Sequence, residues 1–278
     1  MSIIRKATCR ILMCRPTYFQ VFYSINPWMA MKDPVDHQKA MDQWNTLKKT
    51  IEKCGAEVEV MEPTKSAENV PDLVFTANAA IVRGKRVYLA SFAHEQRKEE
   101  WKFNDKWFRE NGYRTYHNPD IPHEGAGDAL WCRNGEVLIA GVGPRSDVRA
   151  LTHIQENLQT EDDPFKILGV RLVDERFYHL DTCFCPLDDK LALWYPHAFD
   201  PVCQHNLGNY FELLPVHESE AEQFACNAVV IGKNVIMNEG SERIAKLLEL
   251  YGFKTHFVEM SEFLKSGGSA KCLTLQLD

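Results

Sequence analysis

One arrangement recurs along this chain and limits the available folds more than any other feature. An amphipathic helix ends near a glycine and runs into a strand. A short polar segment follows, and then two more strands joined by a tight turn. "QWNTLKKTIEKCGAEVEVMEP" puts Trp44, Leu47 and Ile51 on one helical face ahead of Gly55. "FNDKWFRENGYRTYHNP" repeats this with Trp107 and Phe108 ahead of Gly112, and "SERIAKLLELYGFKTHFVE" does so ahead of Gly252. A weaker copy runs from "RALTHIQENL" to "PFKILGVRLV". The strand pairs lie in "VFTANAAIVRGKRVYLASF", "HEGAGDALWCRNGEVLIAGVG", "YHLDTCFCPLDDKLALWYP" and "FACNAVVIGKNVIMNEG", with hairpin-like turns between them.

A fifth copy begins at "GGSAKCLTLQL" and lacks its second strand. The N-terminal "CRILMCRP" can supply it, pairing first strand with last and closing a ring without free sheet edges. The expected fold is therefore α/β: a five-bladed, pseudo-symmetric propeller in one domain spanning 1–278, with a central site. Aligning the copies superposes Asn78, Glu124, His179, Asn227 and Cys272, which are 46, 55, 48 and 45 residues apart. In a ring, corresponding positions converge on the axis. An amide, a carboxylate, an imidazole and a thiol are expected to meet there.

The bulk properties narrow the function. A net charge of −7 argues against a general nucleic-acid binder and does not oppose a small cationic ligand. The apolar runs are too short to span a membrane, and "MSIIRKATCR" lacks the apolar core of a signal peptide. Nine cysteines, an odd number, read as reduced cytoplasmic thiols and not as a disulfide framework.

A cysteine attacks as its thiolate, and His179 is the natural promoter. Asp181 shares the His179 face if "HLD" is extended. With Glu124 it gives two carboxylates, which suit a planar guanidinium. Glycines in "EGAGD", Gly127 among them, allow close backbone approach. Plainer readings stand beside these. Cys272 alone reads as core packing, and His179 alone as a structural histidine. Glu124 and Asp128 also suit a turn, and for Asn227 a turn-holding role is favoured. Cys183 and Cys185 read as strand packing, since the set lacks metal-ligand spacing. Arg15 and Arg83 read as surface; Arg145, after a blade strand, can reach a substrate carboxylate.

The motifs "INPWM", "PDLVFTANA", "EGAGD", "DERFYHLDTCFCPL", "FACN" and "GGSAKCLTL" resemble, in order, those of the guanidino-modifying enzymes of the pentein fold, most closely the bacterial arginine dihydrolases. The resemblance runs from about Ile11 to Leu277. It implies a five-bladed α/β propeller and covalent catalysis without metal or cofactor. By that resemblance Cys272 is the nucleophile, His179 the general acid/base, and Glu124 a carboxylate of the catalytic group. Asp181 and Glu124 hold the guanidinium, and Arg145 holds the α-carboxylate. Asn26, in "INPWM", and Asn78 join the substrate-binding set. The deiminases end their "FTRD"-like motif in Asp, where this chain has Asn78. That departure favours hydrolysis of arginine through citrulline to ornithine over simple deimination. Dimethylarginine hydrolysis, deimination and non-catalytic binding on the same scaffold are the alternatives. The expected partner is a small cationic substrate, and a homo-oligomer is compatible with the sequence.

Overall fold

The computed structural model describes residues 9–29 and 33–277. Residues 1–8, part of the N-terminus read above for a leader, lie outside that set. In chain order the elements begin with β1 (Arg10–Cys14), α1 (His37–Lys53) and β2 (Glu57–Met61). Next come β3 (Ala80–Arg83), β4 (Arg86–Leu89), α2 (Glu100–Glu110) and β5 (Arg114–Tyr116). Then follow β6 (Ala129–Cys132), β7 (Val137–Val142), α3 (Ala150–Leu158) and β8 (Lys166–Arg171). The third set is β9 (Phe184–Pro186), β10 (Leu191–Trp194), α4 (Pro201–Tyr210) and β11 (Glu212–Pro215). After the short α5 (Glu218–Ala221) come β12 (Val229–Ile231), β13 (Asn234–Asn238), α6 (Glu242–Leu250) and β14 (Lys254–Val258). The short α7 (Ser261–Leu264) and β15 (Leu275–Gln276) complete the chain.

These strands form five sheets of three, each a blade. Within a blade the inner strand runs antiparallel to the middle one, and the outer strand, reached through the helix, runs parallel to it. The fifth blade is built from both ends of the chain. Ile11 faces Gln276 and Leu12 faces Leu275, so β1 fills the vacant middle place. Ring closure is thus an ordinary antiparallel pairing.

Burial explains the helices. Trp44, Leu47 and Ile51 of α1 are fully buried against the sheet, each contributing ~1.5–3 kcal/mol of transfer free energy. Asp36 caps the helix by accepting from the Lys39 N–H. Gly55, Gly112 and Gly252 follow α1, α2 and α6 with positive φ, the left-handed stop expected of them. The helix α4 is not among the copies legible in the sequence. It buries only Cys203 and Leu207, and Phe211 at its end is extended, with no glycine. Its start was written locally all the same: Asp200 accepts from Val202 N and Cys203 N, and Pro201 takes the first turn. No helix among the described residues is long and apolar enough to cross a membrane.

Candidate active site

Ahead of β3, β6 and β9, the chain makes a turn of 3₁₀ helix at Thr76–Ala79, Gly125–Gly127 and Leu180–Thr182. Irregular turns precede β12 and β15. These five turns pack around the axis and hand bonds from blade to blade. Ala77 N donates to Cys272 O (3.0 Å), Lys271 N to Asn227 O (3.2 Å) and Asn78 Nδ2 to Glu124 O (2.9 Å). The five aligned positions do converge, and all are buried.

They pair differently from the sequence expectation. His179 Nε2 lies 2.7 Å from Glu124 Oε2, and no hydrogen bond joins His179 to Cys272 among the described contacts. The thiol instead meets Asp181, with Sγ 3.6 Å from Oδ2, and accepts from Asn227 Nδ2 at 3.1 Å. "HLD" is not extended: His179 is, but Leu180–Thr182 turns. The imidazole and the carboxylate of Asp181 therefore diverge to different partners. Asn227 holds backbone turns, as expected, and reaches the thiol as well. Its Oδ1 accepts the Cys272 N–H (3.1 Å) while its amide nitrogen touches both Sγ and Asp181 O.

Glu124 is enclosed by donors. Arg145 Nη1 donates to Oε2 at 3.0 Å and Ala93 N to Oε1 at 3.2 Å. Burial pushes its carboxyl up, but Arg145, the His179 hydrogen bond and Arg97 outweigh it and hold the group well below the usual carboxylate range. Burial pushes Asp181 up to about 7, against the weaker pulls of Lys271, Cys272 and Asn227. Burial and the neighbouring Asp181 also push the Cys272 thiol up.

Asp128 stands one layer back. It accepts Ser146 Oγ–H (2.6 Å) and Leu180 N–H (3.0 Å), tying the His179 segment to its own blade, and burial pushes it up to about 6. Gly127 is needed for close approach, since a Cβ there would come 2.3 Å from Asn78 Nδ2. Arg15 pairs with Glu62 and Arg83 with Asp163, away from the site. Cys183 and Cys185 are buried in the hydrophobic core.

A small pocket lies above this layer. Asn26, Asn78, Arg145, His179 and Cys272 line it. A segment of the N-terminal stretch crosses it: Arg145 Nη2 donates to Ile25 O (2.8 Å), and Asn26 Nδ2 to Ser266 O (3.1 Å). Sequence reasoning missed Arg97, Asp72 and Tyr178. Arg97 is 4% exposed, forms a two-bond fork with Glu100 and donates to Asn78 Oδ1 at 3.1 Å. Its setting, "HEQRKEEW", reads as a solvated charge run, so nothing local marks it. Asp72, which accepts from Tyr23 and Ser266, lies beside the quoted "VFTAN". Tyr178 donates to Gly267 O (2.6 Å) under the Arg145 guanidinium.

A propeller with a buried thiol, an imidazole–carboxylate pair and a second carboxylate at its axis defines a class: the guanidino-modifying penteins. The family profile of eukaryotic N,N-dimethylarginine dimethylhydrolase matches residues 24–277. ArgZ of Synechocystis sp., a bifunctional arginine dihydrolase/ornithine cyclodeaminase, is 43% identical over 96% of this chain and 37% of its own length. The dimethylarginine dimethylaminohydrolase of Mycobacterium tuberculosis is 37% identical over 97% of this chain and 86% of its own. The solved N-terminal domain of ArgZ, bound to product, superposes with a TM-score of 0.90 at 42% identity, covering 98% of each chain. The chain belongs to the dimethylarginine dimethylaminohydrolase family of guanidino-modifying penteins. It spans less than two fifths of the length of bifunctional relatives such as ArgZ.

Proposed function

We propose that this chain hydrolyses the guanidino group of L-arginine twice, giving ornithine, carbon dioxide and two ammonia molecules through citrulline. The observation that carries this reading is that Cys272, with Sγ 3.6 Å from Asp181, and His179, 2.7 Å from Glu124, line one pocket. Asp181 and Glu124 hold the guanidinium, and Arg145 holds the α-carboxylate. Arginine brings a cation to a buried thiol and carboxyl that have no ion-pair partner in contact. Its charge lowers the cost of the thiolate, which attacks the guanidinium carbon. His179 protonates the leaving ammonia and then activates water. Glu124 keeps the imidazole oriented.

Asn78 bears on the second round. Arg97 can only donate and the Glu124 carbonyl can only accept, so these two partners fix which way the Asn78 amide points. One N–H and one lone pair are left over. They serve the N–H donors of arginine and the carbonyl of citrulline alike, whereas an Asp would repel that carbonyl. Relatives support the reading: an asparagine-to-serine variant of the ArgZ N-terminal domain has been solved covalently bound to a reaction intermediate, and an AgrE cysteine-to-alanine mutant with L-arginine. The family profile favours dimethylarginine as the second candidate substrate. The nine free cysteines suit a reducing compartment such as the cytoplasm.

The test is a substrate panel with product identification by mass spectrometry. Two ammonia molecules and one ornithine per arginine are expected, with Asn78→Asp shifting product toward citrulline. Citrulline accumulating one-for-one in the wild type sinks the dihydrolase reading and leaves a deiminase. Preference for methylated arginine leaves the second candidate.

A further inference from the structure

Behind the thiol the axis opens again. A second cavity, with room for about 140 Å³, is walled by inner-strand side chains such as Ile81, Phe184 and Val229. It shares a floor with the substrate pocket. Ala126, Cys226 and Lys271 line the far side, and their chain neighbours Gly127, Asn227 and Cys272 belong to the site. Lys271 is the one charged residue in that lining. Its Nζ donates to Thr274 O at 3.3 Å, its backbone N–H to Asn227 O, and it has no ion-pair partner among the described residues. Lys271 is half-buried, and an unpaired ammonium partly withdrawn from water acts more strongly on its neighbours than one fully solvated.

The charged and titratable groups around the Cys272–Asp181 pair are few. Tyr178 and His179 come from the same blade edge as Asp181, and Glu124 from the next. The two arginines near the pocket are already matched, Arg145 to Glu124 and Arg97 to Glu100. That leaves Lys271 as the cation without a carboxylate of its own.

We propose that Lys271 is a positioning residue for the second hydrolysis, supplying from behind the fixed positive charge that the substrate supplies only in the first. This rests on the dihydrolase reading. Arginine enters as a cation and helps the thiol to ionise. Citrulline is neutral and brings no such help. The thiolate must still attack the ureido carbon and expel ammonia, which takes a proton from His179, leaving a thiocarbamate. Water then releases the thiol and a carbamic acid, which splits into ornithine and carbon dioxide. Only a charge built into the protein can favour the thiolate for that attack. The pull of Lys271 on both Asp181 and Cys272 has the sign this requires.

The experiment compares wild type with Lys271→Arg, Lys271→Met and Lys271→Gln, the last keeping a donor for Thr274 O as a guard against misfolding. Iodoacetamide labelling of Cys272 is followed against pH by peptide mass spectrometry, and kcat/KM is measured for arginine and for citrulline. In Met and Gln variants, labelling at pH 7 should slow about tenfold and its midpoint move to higher pH. Citrulline kcat/KM should fall at least about ten times further than that for arginine. Lys271→Arg should retain both. An unchanged labelling profile in a folded Gln variant, or equal losses for both substrates, overturns the proposal. A wild type that never consumes citrulline sinks the dihydrolase reading and the second-step role together, while the labelling profile still decides separately whether Lys271 charges the thiol.

Discussion

Glu124 and Asp181 end up in the same ring of turns, both sealed from water at 0% and 1% exposure. Their situations are opposite. Glu124 has a guanidinium, an imidazole and a backbone N–H around it, so it is ionised before any ligand arrives. Asp181 has a thiol, an amide beyond it and no ion-pair partner, and burial holds its proton to about 7 against the weaker pull of Lys271. One half of the site is complete in itself, and the other waits for positive charge. Burial alone therefore does not set a carboxylate's state; the donors that neighbouring blades bring to it do.

The hardest test of that contrast removes the waiting half. Cys272→Ala should lower turnover by at least about a thousandfold, as loss of a covalent nucleophile does. The sequence places this residue at a loop exit, away from core centre, but the structure buries it in the same hydrophobic cluster as Phe75 and Phe263. A melting temperature a few degrees lower is therefore expected, not an unchanged one. Wild-type turnover in the mutant would reduce Cys272 to packing. Cys183→Ser is the control, expected to cost stability in place of chemistry.

Glu124→Gln probes the completed half. It leaves Arg145 buried without its counter-charge, which typically costs about 3–5 kcal/mol, and releases His179. Turnover should fall by about 10²–10⁴, and chemical denaturation should show the stability loss. A variant as stable as wild type would mean that Arg145 is neutralised elsewhere.

Asp181→Asn should do the reverse to stability while still impairing turnover. The native carboxyl binds its proton more tightly than the unfolded one, so between about pH 4 and 7 the native state holds more protons and wild-type stability falls as pH rises. The variant should be more stable than wild type at pH 8, by on the order of a few kcal/mol in chemical denaturation, and the gap should close near pH 4. A variant that melts lower at pH 8 would place a cation beside Asp181 in the free protein.

Arg145→Ala should weaken arginine binding about tenfold to a hundredfold, a charged hydrogen bond's worth of about 1.5–3 kcal/mol. Agmatine, which lacks the carboxylate, should lose less. Some loss is expected even there, because Arg145 also serves Glu124. Equal losses for both would make the residue purely structural. The smallest effect belongs to chelation: no cluster of three potential metal ligands exists among the described residues, and EDTA should leave the rate unchanged.

The chain's own periodicity determined the five blades, the ring closure by "CRILMC" and the polar positions at the axis, because helix faces, glycine stops and hairpin turns are written by residues close in sequence. The one helix it hid, α4, has few apolar side chains to repeat and no glycine to end it. Resemblance to a known family assigned roles to residues but could not assign their partners. That His179 goes to Glu124, that Asp181 and Asn227 go to the thiol, and that Arg97 leaves a charged run for a buried fork were decided by tertiary structure. Each depends on how neighbouring blades rotate segments about fifty residues apart into contact, and on which charges lose water when they do. Neither quantity is local, so no stretch of sequence states it.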